Sequence, residues 1–182
     1  MNNSEEHIFW SKEDHLIKVR SLQPEDADHL VDLFEHMGPD SRYLRFNLSL
    51  TNLDPGLIRE EAKRMARVDP EKDGAWLAFT DLPGQANAPI AGARYIRTDH
   101  ETAEAALAVR DDMQNKGIGS GLLAYLVDRA RENGIRCLVA TVQRANRSLL
   151  HILTNSPLKV TYDSEGSYTT IIAELVEPGT VS

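Results

Sequence analysis

The segment DDMQNKGIGSGLLAYL, Asp111 to Leu126, sets three glycines within five residues at the junction of two differently patterned stretches. Before it, TAEAALAV (Thr102–Val109) is a run of small apolar residues suited to a strand; after it, Ile118, Leu122, Leu123, Leu126, Val127 and Ala130 repeat at helical spacing. Asn133-Gly134, with Arg129 and Arg131 in the last turn, closes that helix. A strand entering a helix through such a turn leaves the first helical N–H groups without intrahelical acceptors, and glycine lets a ligand come close to them. Three readings compete for QNKGIGSG. A Walker-type phosphate loop needs lysine and Ser/Thr directly after its last glycine, but Leu122 and Leu123 follow Gly121. A dinucleotide fingerprint needs a glycine at the sixth position, and counting from Gly117 that position is Leu122. The third reading is a tight turn that holds nothing.

The flanking pattern limits the fold further. Leu16 to Arg20 alternates like a strand, and Pro24 starts a helix in which Ala27, Leu30, Val31 and Phe34 share a face, ended by Gly38-Pro39. Ser41 to Leu50 fits neither period. Asp54-Pro55 opens a second helix with Ile58, Ala62, Met65 and Ala66 on one side. AWLAFT, PIAGARYIR and TAEAALAV, separated by turn residues, read as consecutive antiparallel strands; CLVATV (Cys137–Val142) is a buried strand, Ala145 to Thr154 a short helix, and LKVTY with YTTIIAEL a closing hairpin. With 182 residues, 41% of them hydrophobic, the chain supports one core. The expected organisation is a single domain over 15–176, with loose tails at 1–14 and 177–182.

Charge and cysteine content exclude other classes. Twenty Lys and Arg against 28 Asp and Glu give a net charge of −8, which repels a polyphosphate backbone, so nucleic acid is not an expected partner. The single cysteine, Cys137, forms no internal disulfide, and His36, His100 and His151 lack metal-ligand spacing, so no metal is assigned. The N-terminus lacks a signal-peptide pattern and no apolar run reaches membrane-spanning length, so the expected location is cytoplasmic, away from membranes.

Gln114, Gly117 and Gly119 stand in the order Q-x-x-G-x-G between a strand and a helix, and this resembles the acetyl-CoA motif of the GNAT superfamily of N-acetyltransferases. The order of elements from Leu16 to Leu175 is also that superfamily's. The resemblance implies an α+β fold, with a mostly antiparallel sheet splayed between the strands near 103–109 and 137–142 and helices on both faces. It implies acetyl-CoA as co-substrate. The backbone of Asn115, Lys116, Gly117, Ile118, Gly119 and Ser120 would cradle the pyrophosphate at the positive end of the helix dipole, with the Gln114 side chain assisting and Lys116 near the phosphates. Pantetheine would lie along Leu107, Ala108 and Val109 in a gap opened by a bulge in that strand, and an N–H near Leu107 would polarise the acetyl carbonyl. Asn146 matches an asparagine of the superfamily pattern on the following helix.

A protonated amine cannot attack a thioester, so a base is required. Glu104, the one carboxylate within TAEAALAV, occupies a position resembling the catalytic glutamate of some GNAT lysine acetyltransferases, whereas its other reading is a solvated strand residue. The superfamily's usual general acid, a tyrosine, is replaced by Leu153, leaving Tyr162 as a substitute or the role to water. RSLQPEDADHLVDLFEHMGPDSRYLRF is similar to the start of the acetyltransferase domain of bacterial protein lysine acetyltransferases, through Arg20, Pro24, Glu25, Asp26, Ser41, Arg42, Tyr43, Arg45 and Phe46. The expected activity is therefore direct acetyl transfer to a primary amine, with a protein lysine the acceptor the resemblance implies. A small amine or polyamine, or a domain that binds acyl-CoA without turnover, are the alternatives; both monomer and homodimer stay open.

Overall fold

The computed structural model describes residues 6–46 and 53–175. Residues 177–182, expected as a tail, lie outside the described residues. Among the described residues, eight strands form one sheet in the order β1-β2-β3-β4-β5-β6-β8-β7. They are β1 (His7–Trp10), β2 (Leu16–Ser21), β3 (Gly74–Leu82), β4 (Gln85–Arg97), β5 (Thr102–Val109), β6 (Cys137–Gln143), β7 (Lys159–Glu165) and β8 (Tyr168–Glu174). Five helices accompany them: α1 (Ala27–Glu35), α2 (Pro39–Phe46), α3 (Pro55–Ala66), α4 (Ile118–Glu132) and α5 (Arg147–Thr154). All pairings are antiparallel except β5 with β6.

Strand alternation sends side chains to two faces. Trp76, Ala78, Ala91, Ala93, Tyr95 and Ala103 pack beneath Ile118, Leu122, Leu126 and Ala130 of α4. On the opposite face, Leu77 and Phe79 pack with Leu33 of α1. α5 closes over β6 and β8 through Leu153, Val142 and Ile171. Asp54 caps α3, its carboxylate accepting from the Gly56 and Leu57 N–H groups. At the entry to α1, Arg20 grips Asp26 with both Nη atoms, at 2.6 and 2.8 Å, while the Gln23 N–H donates to the same carboxylate at 2.7 Å.

Two expectations need correction. Residues 7–14 are not a tail: β1 pairs with β2 from His7↔Val19 to Trp10↔Leu16, and Phe9 lies where a side chain on Gly121 would stand, an ideal Cβ falling 2.5 Å from its ring. The strand near Leu107 carries no bulge. β4 and β5 keep an unbroken register from Ala91↔Val109 to Arg97↔Ala103, and the one irregular pairing is between β3 and β4.

Candidate active site

The sheet opens without a bulge because β6 leaves β5 early. Their parallel pairing covers only Thr102↔Cys137, Ala103↔Leu138 and Glu104↔Val139, after which β6 continues with β8 alone and β5 runs on to Val109 with one edge open. The directions of its backbone groups follow from the bonds at its two ends. The Arg110 N–H donates to Ile90 O of β4, and Glu101 O accepts from Arg136 and Cys137 on the β6 side. Backbone groups alternate along a strand, so the N–H groups of Leu107 and Val109 face the gap. Ala108 turns its own N–H toward β4.

The glycine turn stands at the mouth of this gap. Asn115 and Gly117 both adopt positive φ, 62° and 82°, and α4 starts immediately after. Its first backbone bond on the Gly117 carbonyl comes from the Gly121 N–H. The N–H groups of Ile118, Gly119 and Ser120 therefore have no acceptor within the helix, and they carry the positive end of its dipole. Gly119 brings turn and gap together: an ideal Cβ there would meet Ile152 Cδ1 of α5 at 2.8 Å, Leu107 Cδ2 at 3.6 Å and Val109 Cγ2 at 3.8 Å. Here glycine is required by the close approach of three elements.

The approach loop is fastened to the α1–α2 junction. The Asp111 N–H donates to His36 O, and the Gly38 N–H donates to the Asp111 carboxylate at 2.9 Å. Gln114 Nε2 lies within 3.3 Å of Val109 O, Ser41 Oγ and Asp111 Oδ1, so its side chain ties the end of β5 to α2 and does not point out of the turn. Arg110, 3% exposed, holds Asp112 with two bonds of 2.7 and 2.9 Å. Lys116 forms an ion pair with Glu13, and its carbonyl accepts from the Lys12 N–H. That pair lowers the Glu13 pKa through the Lys116 hydrogen bond. Asn146 caps α5, its Oδ1 accepting from the Leu149 N–H at 3.1 Å.

Glu104, Ala106 and Ala108 point to the face carrying α1, α2 and α3, opposite to Leu107 and Val109. Ala106 and Ala108 line a cavity of about 370 Å³ on that face, together with Phe34, Phe46, Ile58 and Met65 and the charged Arg45, Arg94 and Glu61. Glu104 is exposed beside this cavity. Leu153 is buried at 6% exposure, so α5 brings no acid to the gap there. Tyr162 sits on β7, three strands from β5 and roughly 14 Å away at the usual inter-strand spacing, which removes it as a substitute acid. Sequence reading missed the cavity and Arg94. Arg45 carries the similarity noted above, but nothing in the sequence places it beside β4.

A sheet that splays after Glu104, with free helical N–H groups at its mouth and an apolar cavity behind, defines an acyl-CoA-type N-acyltransferase. The sequence pattern of the Acetyltransferase (GNAT) family matches residues 30–153, and the chain belongs to that family of N-acetyltransferases. It is 25% identical over 134 residues to the acetyltransferase PA5475 of Pseudomonas aeruginosa, covering 73% of this chain and 69% of that protein. The fold is shared with the GNAT domain of S. lividans PAT at a TM-score of 0.79 and 24% identity, over 93% of this chain and 96% of that one. It is shared also with the PaiA N-acetyltransferase of Thermoplasma acidophilum in complex with coenzyme A, at 0.61 and 18%, over 87% and 98%. No helix among the described residues is long and apolar enough to cross a membrane, and no cluster there would hold a metal.

Proposed function

We propose that the chain transfers an acetyl group directly from acetyl-CoA to a primary amine, the two substrates meeting at Leu107 from opposite sides. The observation that carries this is the early departure of β6 from β5, which leaves the Leu107 and Val109 N–H groups facing the gap beside the free N–H groups of Ile118, Gly119 and Ser120. The helical N–H groups suit a pyrophosphate; the Val109 N–H suits a pantetheine amide, and the Leu107 N–H an acetyl oxygen on which charge develops. Lys116 and Asn146 are spoken for by Glu13 and by the α5 cap, so the main chain holds most of the co-substrate. Gln114 acts by fixing Val109.

The acceptor enters from the cavity side, where Glu104 stands. An ammonium gives one proton through water to Glu104, its nitrogen bonds the thioester carbonyl carbon, and the C–S bond breaks. The nitrogen then releases a second proton and the sulfur leaves as a thiol with one, so one proton is set free per amide formed. Water serves as the acid, because a thiol of ordinary pKa about 8.5 departs readily near neutral pH.

Calorimetry with acetyl-CoA tests the placement. Gly119→Glu, which puts a charged chain against Ile152 and the phosphate approach, is expected to weaken binding by at least about 10-fold, given the usual worth of phosphate contacts at a helix start. Undiminished affinity in a folded variant would sink the placement. Acetyl-CoA binding without CoA release on any of a broad panel of amines would identify a binding module.

A further inference from the structure

We propose that the cavity between α1–α3 and β3–β5 selects a small primary amine that carries a carboxylate and an apolar body, with Arg45 and Arg94 as the carboxylate-binding pair. This rests on the acetyltransferase reading and narrows its acceptor. Both guanidinium side chains line the same cavity, and neither has a hydrogen-bonding or ion-pair partner among the described residues. Arg45 is in contact with the Phe46 ring, at 5.0 Å from its centroid, which shields the cation without neutralising it. Every other arginine grip in this region is satisfied: Arg20 by Asp26, and Arg64 by Glu61 at 2.5 and 2.8 Å.

The carboxylates around the cavity do not pair with either arginine: Glu61 is bonded to Arg64, and Glu104, which acts on both Arg45 and Arg94, and Asp73, which acts on Arg94, are in contact with neither. The Arg45 pKa is brought down to about 10, first by desolvation and then by Arg94, with Glu104 opposing. Arg94 is lowered likewise, by desolvation and then by Arg64. Two guanidinium groups with no bonded counterion among the described residues thus line a largely apolar recess. An uncompensated guanidinium in such surroundings is costly, and a carboxylate that accepts from it in a planar fork removes the cost. A lysine side chain or a polyamine would bring a further cation there and is repelled.

Register supplies the spacing. Arg94 stands directly across from Ala106, next to Leu107, so an anion held at Arg94 lies one strand from the point where acetyl transfer is proposed. That separation suits an amine and a carboxylate on one carbon or on adjacent carbons. The cavity, about 370 Å³, is at the small end of ligand sites and its remaining wall is aliphatic and aromatic. The acceptor class is an α- or β-amino acid with an apolar side chain.

The test compares matched amines: L-leucine with 3-methylbutylamine, L-methionine with 3-(methylthio)propylamine, and L-phenylalanine with 2-phenylethylamine, by CoA release. The carboxylated member of each pair is expected to lead in kcat/KM by about 100-fold or more, the worth of a forked charge-assisted contact. Arg94→Met and Arg45→Met should each cut that ratio by roughly 10-fold or more, because each removes one arm of the contact. Merely structural damage would lower both members of a pair and leave the ratio standing. Ratios near one, ratios unmoved in both variants, or preferred turnover of a lysine peptide or spermidine would overturn the assignment. Calorimetry with acetyl-CoA separates the two levels: absent binding defeats the acetyltransferase reading itself, whereas intact binding with flat ratios defeats only the acceptor class.

Discussion

The two faces of this sheet are built from the same strands and differ in what lies between sheet and helices. Toward α4, Ile118, Leu122, Leu126 and Ala130 are at most 1% exposed and pack with Ala91, Ala93 and Ala103. Toward α1–α3, the alternate residues Gly92, Arg94, Ala106 and Ala108 border a cavity of about 370 Å³. The same contrast recurs between arginines. Arg20 is fully paired and fastens β2 to α1, whereas Arg45 and Arg94 make no hydrogen bond or ion pair with any described residue.

Truncation is the strongest way to break that comparison. Leu122→Ala, at 0% exposure on the packed face, is expected to cost about 3–5 kcal/mol in urea unfolding, and Met65→Ala on the cavity wall roughly half or less. Equal costs would mean that the hollow face is packed in solution. Next in size is Glu104→Gln, which should lower kcat by about 100-fold at pH 7 while leaving acetyl-CoA affinity close to wild type. The deficit should shrink toward pH 9.5 as more of the acceptor amine loses its proton unaided. Parallel pH profiles would return Glu104 to the role of a solvated strand residue.

The smallest effect is electrostatic and falls on the paired arginine. Burial opposes ionisation of Asp26, but the Arg20 fork, the Gln23 N–H and His29 outweigh it and hold its pKa at about 2, below the ordinary 3.8. The stabilisation is whole above about pH 4 and is lost as pH falls through about 2. Asp26→Asn should therefore cost about 1–2 kcal/mol at pH 7, with the difference from wild type closing in strong acid. A gap that persists at pH 2 would assign the effect to geometry rather than charge.

Much of this was legible in the chain. The glycine turn and most of the elements follow from periodicity and one local motif, because each depends on neighbours in sequence, whereas the splay between 103–109 and 137–142 was implied only by the family resemblance. The features that escaped are non-local. β1 has only four residues, HIFW, and becomes a strand through pairing with β2. Lys116 and Gln114, assigned to phosphates by motif, are engaged by Glu13 and Ser41 across 103 and 73 residues. Asn146 matches a superfamily position, and its Oδ1 caps α5. Arg45 and Arg94 come to line one cavity only once α2 is laid over β5, which no spacing in the sequence announces.

The hairpin of β1 and β2 gives the turn a dependence on the start of the chain. Lys12 donates its N–H to the Lys116 carbonyl, its side chain lies 3.2 Å from where a Gly117 Cβ would be, and Phe9 occupies the space that Gly121 vacates. The turn is thus a keystone seated between its own strand and an N-terminal buttress. Trimming the chain to residue 15 would take the buttress away and leave Asn115 and Gly117, both at positive φ, to hold their shape on local preference alone. Boundaries drawn by the periodicity of the core would cut away the segment that braces this turn.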